Sequence, residues 1–352
     1  MSSADENRET APASLPASWA LSVALAALAI VLRPQLGDAR AIPSASVLAL
    51  LFGLAAGTIP AVRARFAKSA SAVAKSAIPI AIVLIGFGLD LEPLFASGSI
   101  AGSVGVVVIA MAVAFAGALL AGRIFGLDAR TSLLLGAGTA VCGNSAILAV
   151  APTVQPDDED LGLTIGVINL LGVAMLFALP PIANALGVTG AAGGALSGLT
   201  VHAVPQAIAT GEAFGDEGVQ WATLFKLMRV AMLVPLVVML AFVLARVRGG
   251  REDGAGARAG MPLFAVLFVV AAALRASGWF DAVVGGGDAE KPLWSWLSQG
   301  GRYLLAVALA AIGLTLRPVA LLRVGPRVLA VGLAAVAIMV AVTIPLARWL
   351  FA

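Results

Sequence analysis

Apolar segments alternate with short polar or charged stretches along the whole of this chain. Most of them are close to the roughly 20 residues that an α-helix needs to cross the hydrocarbon core of a bilayer. The pattern predicts an all-α polytopic membrane protein with about 11 transmembrane helices, of which the first and ninth are short. The segments are Trp19–Leu32, Pro43–Ile59, Ala77–Phe95, Ile100–Gly122, Thr131–Val154, Leu161–Leu186, Ala191–Thr210, Trp221–Ala245, Met261–Ala276, Gly301–Leu316 and Val328–Phe351.

Composition agrees with a membrane protein and argues against an enzyme. Hydrophobic residues make up 61% of the chain and charged residues 12%, whereas soluble domains carry roughly 25% charged residues. One cysteine excludes an internal disulfide, and with one histidine it argues against a metal site. No catalytic triad, P-loop or haem ligand pair is present, so we expect no enzyme and no cofactor. The net charge of +3 lies in loops and indicates no nucleic-acid partner.

Basic residues occur in alternate loops, and in short loops they mark the cytoplasmic side of the membrane. The intervening loops are acidic, as at Asp157–Asp160. With eleven crossings this alternation predicts a cytoplasmic N-terminus and a C-terminus on the outer side. Residues 1–17 are predicted to form a disordered cytoplasmic tail, and residues 18–352 a single transmembrane transporter domain in which residues 249–260 are a flexible cytoplasmic loop. The basic residues are Arg63, Arg65, Lys68, Lys75, Arg123, Arg130, Arg246, Arg248, Arg251, Arg258, Arg317, Arg323 and Arg327.

Two similar stretches indicate an inverted repeat. Leu84–Leu94 and Leu309–Val319 carry Gly, Leu, Leu and Pro at the same spacing. The charge pattern gives the two stretches opposite orientations, which is typical of secondary transporters. The alternative is a chance match in a leucine-rich chain.

The segment from Gly136 to Ile147 contains three glycines, two hydroxyl residues, an amide and the single cysteine inside an apolar run. Irregular backbone at membrane depth occurs only where protein or a water-filled cavity covers it. We therefore predict a broken helix that forms half of a binding site. The segment Gly198–Ile208 has a similar character, and Pro205 favours a second break there. The N-terminus of each half-helix would attract an anion.

Two cations lie inside the eighth apolar segment. Lys226 and Arg229 are three residues apart and share one helix face. Such residues usually face a cavity or a partner, although snorkelling to the headgroups is an alternative. Together with the half-helix starts they predict a site for a small oxyanion. The predicted substrate-binding residues are Thr139, Cys142, Gly143, Asn144, Ser145, His202, Gln206, Lys226 and Arg229.

These motifs resemble those of the YeiH family of bacterial inner-membrane proteins, to which sulfate export is ascribed. The resemblance is carried by Gly138–Ala146 with Pro152, by Thr200–His202 with Gln206, and by Lys226–Val230. The family is grouped with the cation/proton antiporter and anion transporter superfamily. The resemblance implies a core of crossed, broken helices packed against a panel domain, in the bacterial inner membrane with a periplasmic C-terminus.

We therefore expect a secondary transporter that exports a small anion, such as sulfate or an organosulfonate, by alternating access. The alternative is a proton- or sodium-coupled carrier of another organic solute, in which Asp90 or His202 carries the coupling. His202 could also be a structural, hydrogen-bonded group. A membrane sensor or assembly subunit is a third hypothesis. The expected partners are the small anion, the lipid bilayer, H+ or Na+ as coupling ion, and a second copy in a homodimer.

Overall fold

The structure is a computed structural model that describes residues 13–36, 44–89, 100–247, 263–278, 293–316 and 325–351, without the side chains of residues 158, 245 and 265. Within these ranges the chain is helical and contains no strand. Asp90, most of the 1–17 tail, the 249–260 loop and part of each repeat stretch lie outside the described residues.

Fourteen α-helices lie within the described ranges. A single 3-10 turn, Glu212–Phe214, separates α9 from α10. The helices are α1 Leu15–Gln35, α2 Ala45–Thr58, α3 Pro60–Gly86, α4 Ile100–Ile124, α5 Ala129–Ala140, α6 Asn144–Val154, α7 Asp158–Ala185, α8 Gly190–Thr200, α9 Val204–Gly211, α10 Gly215–Ala231, α11 Leu233–Val247, α12 Leu263–Ala276, α13 Leu293–Thr315 and α14 Pro326–Leu350.

The all-α polytopic class is confirmed. Seven of the described helical segments are long and apolar enough to cross a membrane, and shorter apolar helices accompany them. Between α10 and α11 the helix is interrupted only at Met232, whose N–H still bonds to the carbonyl oxygens of Met228 and Arg229. These two helices therefore form one crossing with a kink.

Helices α5 and α6 do not form one crossing, because the chain reverses direction between them. The Arg130 guanidinium, at the start of α5, donates to the carbonyl oxygen of Gln155, just beyond α6, at 3.1 Å. With 12 and 11 residues, the helices span about 18 and 16 Å at 1.5 Å per residue. Each is about half as long as the membrane core is thick. We call α5 and α6 hairpin 1, with residues 141–143 as its tip.

Helices α8 and α9 form a second hairpin, which we call hairpin 2, with residues 201–203 as its tip. Gly194 of α8 and Gly211 of α9 both lie directly against the carbonyl oxygen of Gly218 in α10, where a methyl group on either glycine would collide. The two ends of the segment are therefore adjacent. Thr131–Val154 and Ala191–Thr210 were among the eleven predicted crossings, but each enters and leaves at one end of the molecule.

The hairpins open at opposite ends of the molecule. Hairpin 1 opens at the end where α4 finishes. We call this the basic end because Arg63 and Lys68 lie there at the start of α3, which directly follows the end of α2, whereas the start of α2 contacts the opening of hairpin 2. Hairpin 2 opens at the other end, where Ser46 of α2 donates to Glu212 at 2.6 Å and Arg302 of α13 pairs with Asp216. We call this the acidic end.

The path of hairpin 1 changes the position of one acidic loop. Asp157–Asp160 was expected opposite the basic loops, and this expectation is wrong. The Arg130–Gln155 contact places the start of α7 at the basic end, next to the end of α6. Because two hairpins replace two of the eleven predicted crossings, the predicted number stays odd, and the predicted positions of the two termini do not change.

Close helix packing at glycines sets the relative directions of the other helices. Helix α2 runs parallel to α13, with Gly53 against Ala310 and Gly57 against Leu314. Helix α3 runs antiparallel to α13, since Gly301 lies against Ala81 while the earlier Ser298 lies against Gly88, just beyond the end of α3. The two helices that begin the repeat stretches thus have opposite directions, as predicted. Helices α1, α2, α3 and α13 also share their own apolar cluster, next to the larger one around the hairpins.

Candidate functional site

The tips of the two hairpins meet in the middle of the molecule. In hairpin 1 the helix ends at Ala140, and the next begins at Asn144 after Gly143, whose φ of 72° is in the region that favours glycine. In hairpin 2 the break is at Val201–Ala203, and Pro205 lies in the first turn of α9, where its missing N–H costs no helix hydrogen bond. Each segment in which a break was predicted therefore contains a helix N-terminus, at Asn144 in one and at Val204 in the other.

Lys226 and Arg229 of α10 hold the two tips together. Both side chains are 0% exposed. The Lys226 ammonium donates to the carbonyl oxygens of Val141 at 2.8 Å and Val201 at 2.7 Å, one in each tip. The Arg229 guanidinium donates to the last carbonyl oxygens of both first helices. Its acceptors are Ala140 at 2.9 Å and Thr139 in α5, with Leu199 and Gly198 in α8.

This arrangement stabilises the negative ends of two helix dipoles. The last carbonyl groups of a helix have no intrahelical partner and carry a partial negative charge. A cation at that position is stabilised by it, and at membrane depth the carbonyls need a donor. Neither side chain snorkels. Lys226, Arg229 and Thr139 are not among the described residues that line the space in front of the tips, and both cations donate to backbone oxygens.

A cavity of about 450 Å³ lies in front of the tips, within the usual range for small-molecule sites. Six of the nine predicted binding residues line it, and they belong to the tips and the first turns of α6 and α9. The six are Cys142, Gly143, Asn144, Ser145, His202 and Gln206.

Two N-terminal helix ends face this cavity. The first N–H groups of α6 and α9 have no carbonyl within their own helix to accept them. Asn144 and Ser145 occupy the first positions of α6, and Val204 and Gln206 belong to the first turn of α9, and all four residues line the cavity. The first turns of α6 and α9 therefore surround the cavity with backbone N–H donors and two partial positive charges.

Unpartnered polar side-chain atoms also border the cavity. His202 is 1% exposed, and neither of its ring nitrogens has a hydrogen-bond partner among the described residues. One alternative was that His202 is a structural, hydrogen-bonded residue. The described residues contain no hydrogen-bond partner for it. Asn144 donates from Nδ2 to Oδ1 of Asn169 at 2.8 Å, while its own Oδ1 is unpartnered.

The sequence prediction missed the cavity residues outside the tips, which include Asn169, Phe264, Ile312 and Thr315. Asn169 of α7 bonds to Asn144, and Phe264, Ile312 and Thr315 line the opposite wall. Asn169 could have been found, because it is an amide in the middle of a long apolar helix. The wall residues could not, because they are ordinary residues of helices that pack against the hairpins.

The charges around the site do not cancel. Among the described residues that line the cavity there is no Asp or Glu. Lys226 and Arg229 bond to carbonyl oxygens, and neither pairs with a carboxylate in the described parts of the chain. Two C-terminal helix ends correspond to about one negative charge, against two formal positive charges. Among the described residues, only the helix C-termini therefore offset Lys226 and Arg229.

Comparisons with known proteins identify relatives over most of the chain. Residues 18–332 match a family described as "Conserved hypothetical protein 698". A UPF0324 membrane protein of Bradyrhizobium diazoefficiens is 33% identical over 87% of this chain and 84% of its own length. The UPF0324 membrane protein TauZ of Paracoccus denitrificans is 31% identical over 90% of each chain. These names state no substrate, so the resemblance to YeiH sulfate exporters remains a prediction.

Proposed function

Since this chain belongs to the family described as conserved hypothetical protein 698, whose relatives include named membrane proteins, we propose that it is a secondary-active transporter of a small oxyanion. The substrate is sulfate or a related organosulfonate, and it is exported across the bacterial inner membrane by alternating access. The observation that carries the proposal is that the N-termini of α6 and α9 converge on one cavity. The C-termini of α5 and α8, the other helix of each hairpin, are bonded to buried cations.

The charge distribution supports an anion rather than a cation. Backbone N–H groups at helix N-termini bind oxyanions well because several donors point at one space. Lys226 and Arg229 add long-range positive potential without a direct contact, since their donors are used by the tips. A cation in the same cavity would meet two positive helix ends and, from the residues that the structure describes, no lining carboxylate.

The two hairpins provide a plausible moving part. They open at opposite ends of the molecule and meet at their tips, as expected for the two copies of an inverted repeat. The α1, α2, α3 and α13 cluster forms the opposite wall of the cavity through Ile78, Ile312 and Thr315. In the proposed cycle the hairpins act as the core, this cluster acts as the panel, and the cavity between them opens to each side in turn. We expect the cytoplasmic side at the basic end, and a homodimer formed through the panel.

Anion binding can be tested with the purified protein in detergent. A ligand that binds the native state raises its apparent stability. We expect sulfate and methanesulfonate to raise the melting temperature at constant ionic strength, and choline to leave it unchanged. We expect Asn144→Ala and Asn169→Ala to weaken the effect of sulfate, and the control Asn184→Ala, on the same helix as Asn169 but outside the cavity, to retain it.

Flux in proteoliposomes tests transport itself. We expect counterflow of labelled sulfate by the wild type and the Asn184→Ala variant. The site assignment is wrong if sulfate binding and flux are the same in the wild type, in Asn144→Ala and in Asn169→Ala. If no oxyanion binds to the wild type, the anion hypothesis is wrong.

A proton-coupled carrier of another organic solute is the second candidate, and the unpartnered ring of His202 favours it. An imidazole can accept a proton at one ring nitrogen and donate one from the other. In this case a pH gradient should drive flux, and His202→Gln should abolish the response to the gradient while leaving solute counterflow. A full response to the gradient in His202→Gln would exclude His202 as the coupling group.

A further inference from the structure

A second cavity lies at the basic end of α3 and carries its own positive charges. Its volume is about 640 Å³, and the side chains of Arg63, Lys68, Ser71 and Thr315 line it together with Pro60 and two alanines. In the described part of the chain, none of the residues that line it is acidic. We call this space the basic vestibule.

The basic vestibule adjoins the central cavity in two ways. Thr315 of α13 lines both spaces. On α3, the vestibule residues follow the spacing of one helix face, from Pro60 through Ala64 and Ala67 to Ser71. Ile78 continues the same face seven residues after Ser71 and lines the central cavity. One face of α3 therefore leads from the vestibule to the tips.

We propose that the basic vestibule is a second, outer binding site for the oxyanion, from which the anion reaches the central cavity. This proposal rests on the proposed function and deepens it. A cleft of one charge sign with low-dielectric walls concentrates its counter-ion and raises association rates by about 10- to 1,000-fold, with a steep dependence on salt. Arg63 provides a planar fork for oxyanions and Lys68 a compact point charge.

The chemistry of the vestibule differs from that of the tips. At the tips, anion binding would rely on backbone N–H groups and neutral side chains at the cavity wall. In the vestibule it relies on two charged side chains next to the hydroxyl groups of Ser71 and Thr315. The vestibule should therefore hold many oxyanions weakly, and the tips should select among them. Because the vestibule is at the basic end, it would also determine the side of the membrane from which the oxyanion enters.

The test compares two double variants of equal net charge in proteoliposomes. Arg63→Gln/Lys68→Gln removes the vestibule charges. Arg65→Gln/Arg123→Gln removes two exposed charges at the same end that do not line the cavity. Initial rates of labelled sulfate flux are measured with sulfate added at the basic end, from roughly 0.01 M to 0.15 M ionic strength, over which the Debye length falls from about 30 to 8 Å.

We expect the vestibule variant to lose about 10-fold in kcat/KM at low salt, with kcat unchanged and the salt dependence lost. The control should behave as the wild type. Equal kinetics and salt dependence in the two double variants would overturn the proposal. Stabilisation by sulfate in detergent separates failure of this proposal from failure of the proposed function. The vestibule variant should still be stabilised by sulfate. If sulfate does not stabilise the wild type, the proposed function is overturned as well.

A charge rescue gives a second readout from one position. In Lys68→Cys, a thiol reagent that adds a trimethylammonium group should restore the rate, and a reagent that adds a sulfonate should lower it further. The native Cys142 is buried, and wild-type protein treated in the same way corrects for its reaction. If both reagents change the rate equally, steric filling and not charge is responsible, and the proposal is wrong.

Discussion

Arg229 donates from Nε to the carbonyl oxygen of Ala140 at 2.9 Å, although 89 residues separate them in the chain. The same guanidinium reaches Leu199 in the other hairpin. One side chain therefore joins the ends of α5 and α8, and it does so at the depth where unsatisfied carbonyl groups are most costly. The position of the cavity depends on this contact, because both of its helix N-termini begin a few residues further on.

Replacing Arg229 should destabilise the whole protein. Arg229→Lys keeps the charge but cannot reach carbonyls in both hairpins with a planar fork. Each hydrogen bond to a charged group contributes about 1.5–3 kcal/mol, so we expect a large fall in the melting temperature, measured by tryptophan fluorescence in detergent. Arg302→Lys is the control, since that side chain pairs with the exposed Asp216. Equal melting temperatures for the two variants would show that Arg229 does not hold the tips.

The hairpins predict which loops face the same side of the membrane. In inverted vesicles and in whole cells, single cysteines at the exposed positions Arg123 and Glu159 should react with an impermeant thiol reagent from one side, and a cysteine at Glu217 from the other. Straight crossings through both segments would instead place Glu159 and Glu217 on the same side. The labelling pattern thus distinguishes the two paths, with the unmodified chain as the background for buried Cys142.

Packing of α8 on α10 depends on glycine. A methyl group on Gly198 would lie 2.9 Å from the Lys226 backbone nitrogen. Gly198→Ala should therefore push α8 away from Lys226 and Arg229 and lower both stability and flux, with a cost of about 1–3 kcal/mol for overpacking. Gly162→Ala, in α7 with open space around it, should be neutral or slightly stabilising. Melting temperature and sulfate flux of the two variants are the measurements, and equal behaviour would contradict the close approach.

The sequence allowed the position of both tips to be predicted, because the signals are local. The positive φ at position 143 favours glycine, and Pro205 is best accommodated in the first turn of a helix. The apolar pattern also predicted the helical class. It could not predict the hairpins, since an apolar run of two half-length helices has the same composition whether the chain continues straight or reverses. Only contacts such as Arg130 with Gln155 decide the path.

Lys226 and Arg229 illustrate the same limit at the site. Two cations in an apolar helix indicate buried partners, and that expectation agrees with their full burial. The sequence could not show that the partners are backbone carbonyls, because any residue supplies a carbonyl oxygen. The direct ligand role predicted for them was therefore inferred from charge alone, and the structure gives their donors another use.

The donors at the tips have a consequence for how related proteins diverge. Backbone N–H groups belong to every residue except proline, so replacing side chains around the cavity leaves the donors of α6 and α9 in place. Under the proposed function, relatives that change Asn144, Asn169 or the Phe264 wall would acquire a new preference among anions and would keep the sign of the charge that they accept. In such a design the class of ligand is inherited with the fold, and the individual ligand is determined by a few side chains.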